Sequence, residues 1–222
     1  MLEIIIPILN EEKYLTEHAG YYTRLSKDNR IIFVDGGSTD QSVAVAARIG
    51  EVIPAPQGRA AQKNAGAQHA KAPWLLFLNV DAHIDPQCTH HLPNAMQTGD
   101  IAGCFSIQIE EPRFIFRVYE WALNMRARKA GIIDADLGTL IRRDHFFEQE
   151  GFDPLPIMDD IVFSKRLRKF GKVRVLPFSI RVSSRKWHEN GFYRTFMNYT
   201  LAYLQHWTGI EFFRHRPKAA HE

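Results

Sequence analysis

Ile4-Ile5-Ile6-Pro7-Ile8-Leu9-Asn10-Glu11-Glu12 and Ile31-Ile32-Phe33-Val34-Asp35-Gly36-Gly37-Ser38-Thr39-Asp40 share one design. Each is a short apolar, β-branched run that stops on a polar cluster. A run of this kind reads as a strand covered on both faces, the pattern of a parallel sheet. Asn10 is placed to cap a helix with Glu11 and Glu12 in its first turn, extending to about Leu25. An alanine-rich helix to Ile49 follows the second strand, and Val52-Ile53 is a short third one. Gly58 to Ala70 has helical composition, and Trp74-Leu75-Leu76-Phe77-Leu78 repeats the buried-strand pattern. Strands alternating with helices predict an α/β fold with a mostly parallel central sheet flanked by helices.

The second half is less regular. Pro86 to Met96 reads as a helix, Ile101 to Ile109 as a long strand, and Phe114 to Lys129 as an amphipathic helix. Thr139-Leu140-Ile141 is a short strand, Asp159 to Phe170 a helix closed by Gly171, and Val173 to Val182 the last strands. An aromatic helix from Phe192 to about Trp207 carries Phe192, Phe196, Tyr199, Tyr203 and Trp207 at steps of three or four.

The chain has 222 residues, 45% hydrophobic and 24% charged, with a net charge of +3. This suits one domain with a full-sized core, which excludes a disordered or collagenous chain. The charge is too small to imply nucleic acid. The two cysteines, Cys88 and Cys104, read as free thiols in a reducing compartment. The first ten residues lack a basic leader pattern, and no run approaches the ~20 apolar residues of a membrane span. The expected location is cytoplasmic, with the inner face of the membrane open.

In an open parallel sheet, ligands bind beyond the carboxyl ends of the strands. Asn10-Glu11-Glu12, Asp35-Gly36-Gly37-Ser38 and Asn79-Val80-Asp81 all stand at such ends. Each has a structural reading as a cap or turn, but three together point to one crevice.

These residues carry a resemblance. Ile-Ile-Pro-Ile-Leu-Asn-Glu-Glu followed by Val-Asp-Gly-Gly-Ser-Thr-Asp resembles the start of a family 2 glycosyltransferase of the GT-A fold. Gly58 to Gly66, Leu75 to Asp81 and Met158-Asp159-Asp160 resemble its later blocks in order, over roughly the first 185 residues. The resemblance implies one transferase domain: residues 1–98 for the nucleotide sugar, 99–190 for acceptor and catalysis, and 191–222 as a C-terminal amphipathic helix and basic tail. It implies an inverting transfer from a nucleotide-diphosphate sugar to a hydroxyl acceptor, with Asp160 as general base.

Pro7, Asn10, Glu11, Asp35, Gly37, Arg59, Asn64, Asn79, Asp159 and Arg185 are the expected nucleotide-sugar contacts. Asp35 suits a base imide, Glu11 the ribose hydroxyls, and Arg59 at a helix start the phosphates. A divalent metal, manganese or magnesium, would neutralise the leaving diphosphate. The family usually has Asp-x-Asp there; here Asn79 replaces the first acid, leaving Asp81, with His188 as a second ligand and His83 and Asp85 nearby. Asp159 is expected near the helix N-terminus as a cap or acceptor-orienting group, while Asp160 faces the crevice.

Two other readings compete: a non-catalytic nucleotide-sugar binder, favoured by Asn79, and a nucleotidyltransferase, disfavoured by the acidic turn after the first strand. Phe114, Val118, Trp121 and Met125, flanked by Arg113, Arg117, Arg126 and Arg128, form a stripe like that of the C-terminal helix. The first expectation for both is packing on the domain or a second subunit. A membrane surface, which would fit a lipid-linked acceptor, stays open.

Overall fold

The computed structural model describes residues 2–185. Two compact units divide between Val182 and Ser183, and the first carries every helix and strand discussed below. The aromatic helix expected from Phe192 to Trp207, and His188, lie outside the described residues.

Eight strands make one sheet: β1 (Leu2–Ile8), β2 (Arg30–Asp35), β3 (Glu51–Pro54), β4 (Trp74–Phe77), β5 (Ala82–Ile84), β6 (Asp100–Ile109), β7 (Thr139–Arg142) and β8 (Lys172–Val182). Their order is β3-β2-β1-β4-β7-β6-β8-β5. The first four are mutually parallel, and the buried runs of β1, β2 and β4 suit a sheet covered on both faces. β7 enters antiparallel to both β4 and β6, which restores the original direction in β6 and β8. The carboxyl ends of β1, β2, β4, β6 and β8 therefore all face one edge. The sheet is mixed, and β5, which the sequence did not reveal, closes it antiparallel to β8.

The helices are α1 (Glu12–Glu17), α2 (Ala19–Leu25), α3 (Ser42–Ala46), α4 (Arg59–His69), α5 (Leu92–Ala95), α6 (Phe114–Ala130), α7 (Arg143–Glu148) and α8 (Asp159–Leu167). The single helix expected up to Leu25 is broken at His18, and that expected from Pro86 to Met96 is a 3-10 turn followed by α5. α4 lies close against β1 and β2 because Gly66 faces them. A Cβ there would stand 2.4 Å from the Ile5 side chain. Phe77, Phe146, Phe152 and Phe163 bring β4, α7 and α8 together, with ring centroids 4.5 to 5.6 Å apart.

α6 corrects the expectation that its stripe packs on the body of the domain. Its buried side chains are Phe116, Glu120, Leu123 and Ala127. The stripe of Phe114, Val118 and Trp121 is turned outward.

Candidate active site

The ends of β1 and β2 are tied by their own polar residues. The Asp35 carboxylate accepts hydrogen bonds from the Gly37 and Ser38 amides at 3.0 and 3.1 Å, and from the Ser38 hydroxyl. Gly37 has φ +94°, which suits glycine. Asn10 does not cap α1, whose N-cap is Glu11 with no side-chain bond. The Asn10 amide oxygen instead accepts from the Thr39 amide at 2.8 Å, and the Asn10 N–H donates to the Ser38 hydroxyl at 3.0 Å. The Glu11 N–H donates to the Ser42 hydroxyl at 2.6 Å. Glu12 and Asp40 complete the exchange: the Glu12 N–H reaches Asp40, and the Gln41 N–H reaches Glu12. The two polar clusters are one interlocked rim. Pro7 sits within β1 opposite Val34.

Behind the rim stands α4, whose Gln62 the sequence did not single out. Gln62 is buried and donates to the carbonyls of Ile8 at 2.9 Å and Val34 at 2.7 Å, fixing α4 to both strand ends. Asn64 spends its amide on the Phe152 backbone, accepting from its N–H at 2.9 Å and donating to its carbonyl at 2.8 Å. Arg59, the first residue of α4, donates to the Asn79 amide oxygen at 2.7 Å. The Asn79 amide nitrogen donates in turn to Asp136 at 2.7 Å. Asn79 is thus a neutral bridge between a cation and a carboxylate.

Asp136 lies in a 3-10 turn, Ala135–Leu137, immediately before β7. The acidic pair meets the same turn. Met158 adopts φ +64° and starts α8. Asp159 forms an ion pair with Lys63 at 2.8 Å, with side chains 5% and 4% exposed, and the Lys63 ammonium also lies 4.5 Å above the Phe152 ring. This corrects the expected cap: the helix amide of Ile161 donates to Asp160 at 2.9 Å, and Asp159 belongs to Lys63. The other Asp160 oxygen accepts from the Ala135 N–H.

Burial holds Asp160 above the ordinary carboxylate range, against the pull of Lys63 and with a further push from Asp159. Burial pushes Asp134 up to about 6, opposed by Arg126 and reinforced by Asp160 and Asp136. Burial and the nearby Arg59 lower Lys63, while Asp159 and Asp160 oppose that shift. Asp134, Asp136, Asp159, Asp160, Lys63 and Arg59 therefore interact as one cluster at the carboxyl side of β4.

Asp81 follows β4 on the side of β1. Burial raises Tyr22, and Tyr14, Tyr21, Asp81 and Glu11 add to the shift, so Asp81 and Glu11 act on the same hydroxyl. That hydroxyl donates to the Val80 carbonyl. His83 is engaged away from a ligand role: its Nε2 is 3.3 Å from the Tyr14 hydroxyl, and its ring stacks on Tyr21 with centroids 4.0 Å apart. Burial and His18 lower His83 to about 4. Asp85 accepts from the Gln87 N–H and caps the 3-10 turn. Among the described residues no three His, Cys, Asp or Glu side chains form a ready metal cage. Arg185 belongs to the unit that begins at Ser183.

Comparison with known proteins agrees with this layout. A curated relative, an uncharacterized glycosyltransferase of Haemophilus influenzae, is 31% identical over 120 residues, 47% of this chain and 48% of that protein. The chain thus spans about half the length of that relative. Crystal structures of S. aureus TarS 1-349, alone and in complex with UDP-GlcNAc, match with TM-score 0.64 at 16% identity. They cover 82% of this chain and 60% and 58% of those chains. The Pyrobaculum calidifontis mannosyltransferase PcManGT, in complex with GDP-Man and Mn2+, matches with TM-score 0.62 at 19% identity over 81% of this chain and 56% of that one. These structures share the GT-A fold. The model of the family described as "Glycosyl transferase family 2" matches residues 3–192, from the first strand through the acidic pair and β8, and the chain belongs to that family.

Proposed function

We infer that the protein transfers a sugar from a nucleotide-diphosphate donor to a hydroxyl acceptor, with inversion at the anomeric carbon. One observation carries this reading: Asp160, a buried carboxylate with a raised pKa, joins Arg59 and Lys63 in the cluster at the carboxyl end of β4. A general base works best when its pKa is raised toward the working pH, and burial moves Asp160 in that direction. Asp160 takes the acceptor proton as the oxygen attacks from the face opposite the leaving diphosphate. Two backbone N–H groups hold the carboxylate in place. Arg59, at the start of α4, balances phosphate charge, and Asn79 sets the direction of its guanidinium. Glu11 and the Asp35 turn line the nucleoside side.

The donor set fits a divalent cation that arrives with the nucleotide. Asp81 offers a hard oxygen, and such ions commonly take one or two carboxylates with substrate phosphates completing the shell. Asn79 has committed its oxygen to Arg59, so Asp81 is the proposed protein ligand. The ion would supply charge neutralisation to the departing diphosphate.

UDP and GDP are the probes of choice, because TarS and PcManGT were captured with UDP-GlcNAc and GDP-Man. Calorimetry should show one of them binding more tightly with manganese than without it. Asp81→Ala should abolish the metal-dependent part only. Failure of both nucleotides to bind at millimolar concentration with manganese would reject the site.

A further inference from the structure

α6 is apolar on two opposite faces. Phe116, Leu123 and Ala127 pack inward with Glu120. At about 100° per residue, Phe114, Val118, Trp121 and Met125 fall in one stripe on the other side. Phe114 is 81% exposed and Trp121 65%, with Ile115 and Val118 each at 43%. Scattered apolar residues are ordinary on a surface, but a continuous aromatic stripe along a helix is not.

Arg128 and Lys129 are exposed beside the C-terminal end of the stripe, while Arg113 pairs with Glu111 at 3.1 Å and Arg117 with Glu120 at 2.9 Å. The only acid in α6, Glu120, is on the buried face, where it accepts from the Ile109 N–H. Arg126 is drawn away to Asp134.

We propose that this face of α6 docks the protein on an anionic bilayer surface, with Phe114, Val118 and Trp121 sunk at the headgroup boundary and Arg128 and Lys129 against lipid phosphates. An amphipathic helix with aromatic residues on one face and Arg or Lys beside them has the chemistry of an interfacial helix. No helix among the described residues is long and apolar enough to cross a membrane, so α6 lies on the surface. The exposed face of α6 holds Arg128 and Lys129 and no acid, which matches anionic headgroups.

The test uses the full chain and needs neither donor nor acceptor, so it fails or succeeds apart from the transferase reading. Co-sedimentation with vesicles of phosphatidylcholine and phosphatidylglycerol should exceed that with phosphatidylcholine alone, and added salt should weaken it. The Phe114→Ser/Trp121→Ser double variant should bind at least ~10-fold more weakly, from the loss of two buried aromatic side chains. Its melting temperature and nucleotide affinity should match the parent, because both side chains are exposed. Equal vesicle binding by parent and variant would overturn the proposal, as would no preference for anionic vesicles. A concentration-dependent dimer abolished by the double variant, with no vesicle binding, would assign the face to a second copy instead.

Discussion

Asp159 and Asp160 are adjacent in sequence, yet the structure gives them different work, and paired Asn substitutions separate it. The Asp159–Lys63 ion pair is buried on both sides. Asp159→Asn removes the carboxylate that pairs with Lys63 and leaves Asp160 as its remaining opposite charge. Removing one member of a buried pair costs about 3–5 kcal/mol. For a domain of this size each kcal/mol moves the melting temperature by roughly 2–4 °C, so a fall of roughly 6–20 °C is expected. Lys63→Met combined with Asp159→Asn should recover much of it, because both charges of the pair disappear together.

Asp160→Asn differs. Its amide keeps one oxygen for the Ile161 or Ala135 N–H and sets an NH2 group against the other, a penalty of about 1–3 kcal/mol, partly offset by losing a buried charge. Its main effect is on rate: loss of a general base lowers turnover by ~10²–10⁴-fold. Thermal unfolding gives the first quantity. Donor hydrolysis by water, read as nucleoside diphosphate release below both melting temperatures, gives the second without a known acceptor. The reasoning is refuted if Asp159→Asn melts like the parent. It is equally refuted if Asp160→Asn retains hydrolysis while a folded Asp159→Asn loses it.

Two further expectations follow from single contacts. Asn79→Asp would set a second carboxylate against Asp136, now 2.7 Å from the Asn79 amide. The metal-free protein should lose stability, and nucleotide binding should saturate at lower manganese, since a second hard anionic oxygen becomes available; an unchanged manganese midpoint would show that position 79 is remote from the ion. His83, lowered to about 4 by burial, stays neutral in the folded protein while the unfolded side chain titrates near 6.5. Stability should therefore rise with pH between about 4 and 6.5, be complete above that window, and be lost towards its lower end. His83→Gln should flatten that slope in melting curves taken across the window, and parallel curves for the two proteins would contradict the assignment.

The parallel half was legible because its signals are local. Three apolar runs end in polar clusters, and periodicity places them without knowledge of the rest of the chain. The rim was harder to read. Asn10 has the composition of an N-cap, yet its oxygen goes to Thr39, which is 29 residues away. Propensity ranks a residue's options but not the partner a neighbouring loop offers. Lys63 was hidden for a related reason. It stands among Arg59, Gln62 and Asn64 on an ordinary polar helix, and only packing of α8 against α4 makes it the buried partner of Asp159.

Asp136 was invisible because its importance depends on the direction of β7. Thr139-Leu140-Ile141 announces a strand but carries no sign of its orientation. Were β7 parallel to β4, the turn at Ala135–Leu137 would lie at the opposite edge of the sheet, away from Asn79. The antiparallel register, Phe77 opposite Thr139, brings that turn to the carboxyl end of β4. The Asn79 amide can then hold Asp136 on one side and Arg59 on the other. The same turn presents the Ala135 N–H to Asp160. The reversed strand thus connects the Asn79 position to the acidic pair 80 residues later, and it explains why an amide is accommodated where an acid would be expected. With Asp136 already beside it, a second negative charge at position 79 would lack the compensation that one Arg59 gives to one carboxylate.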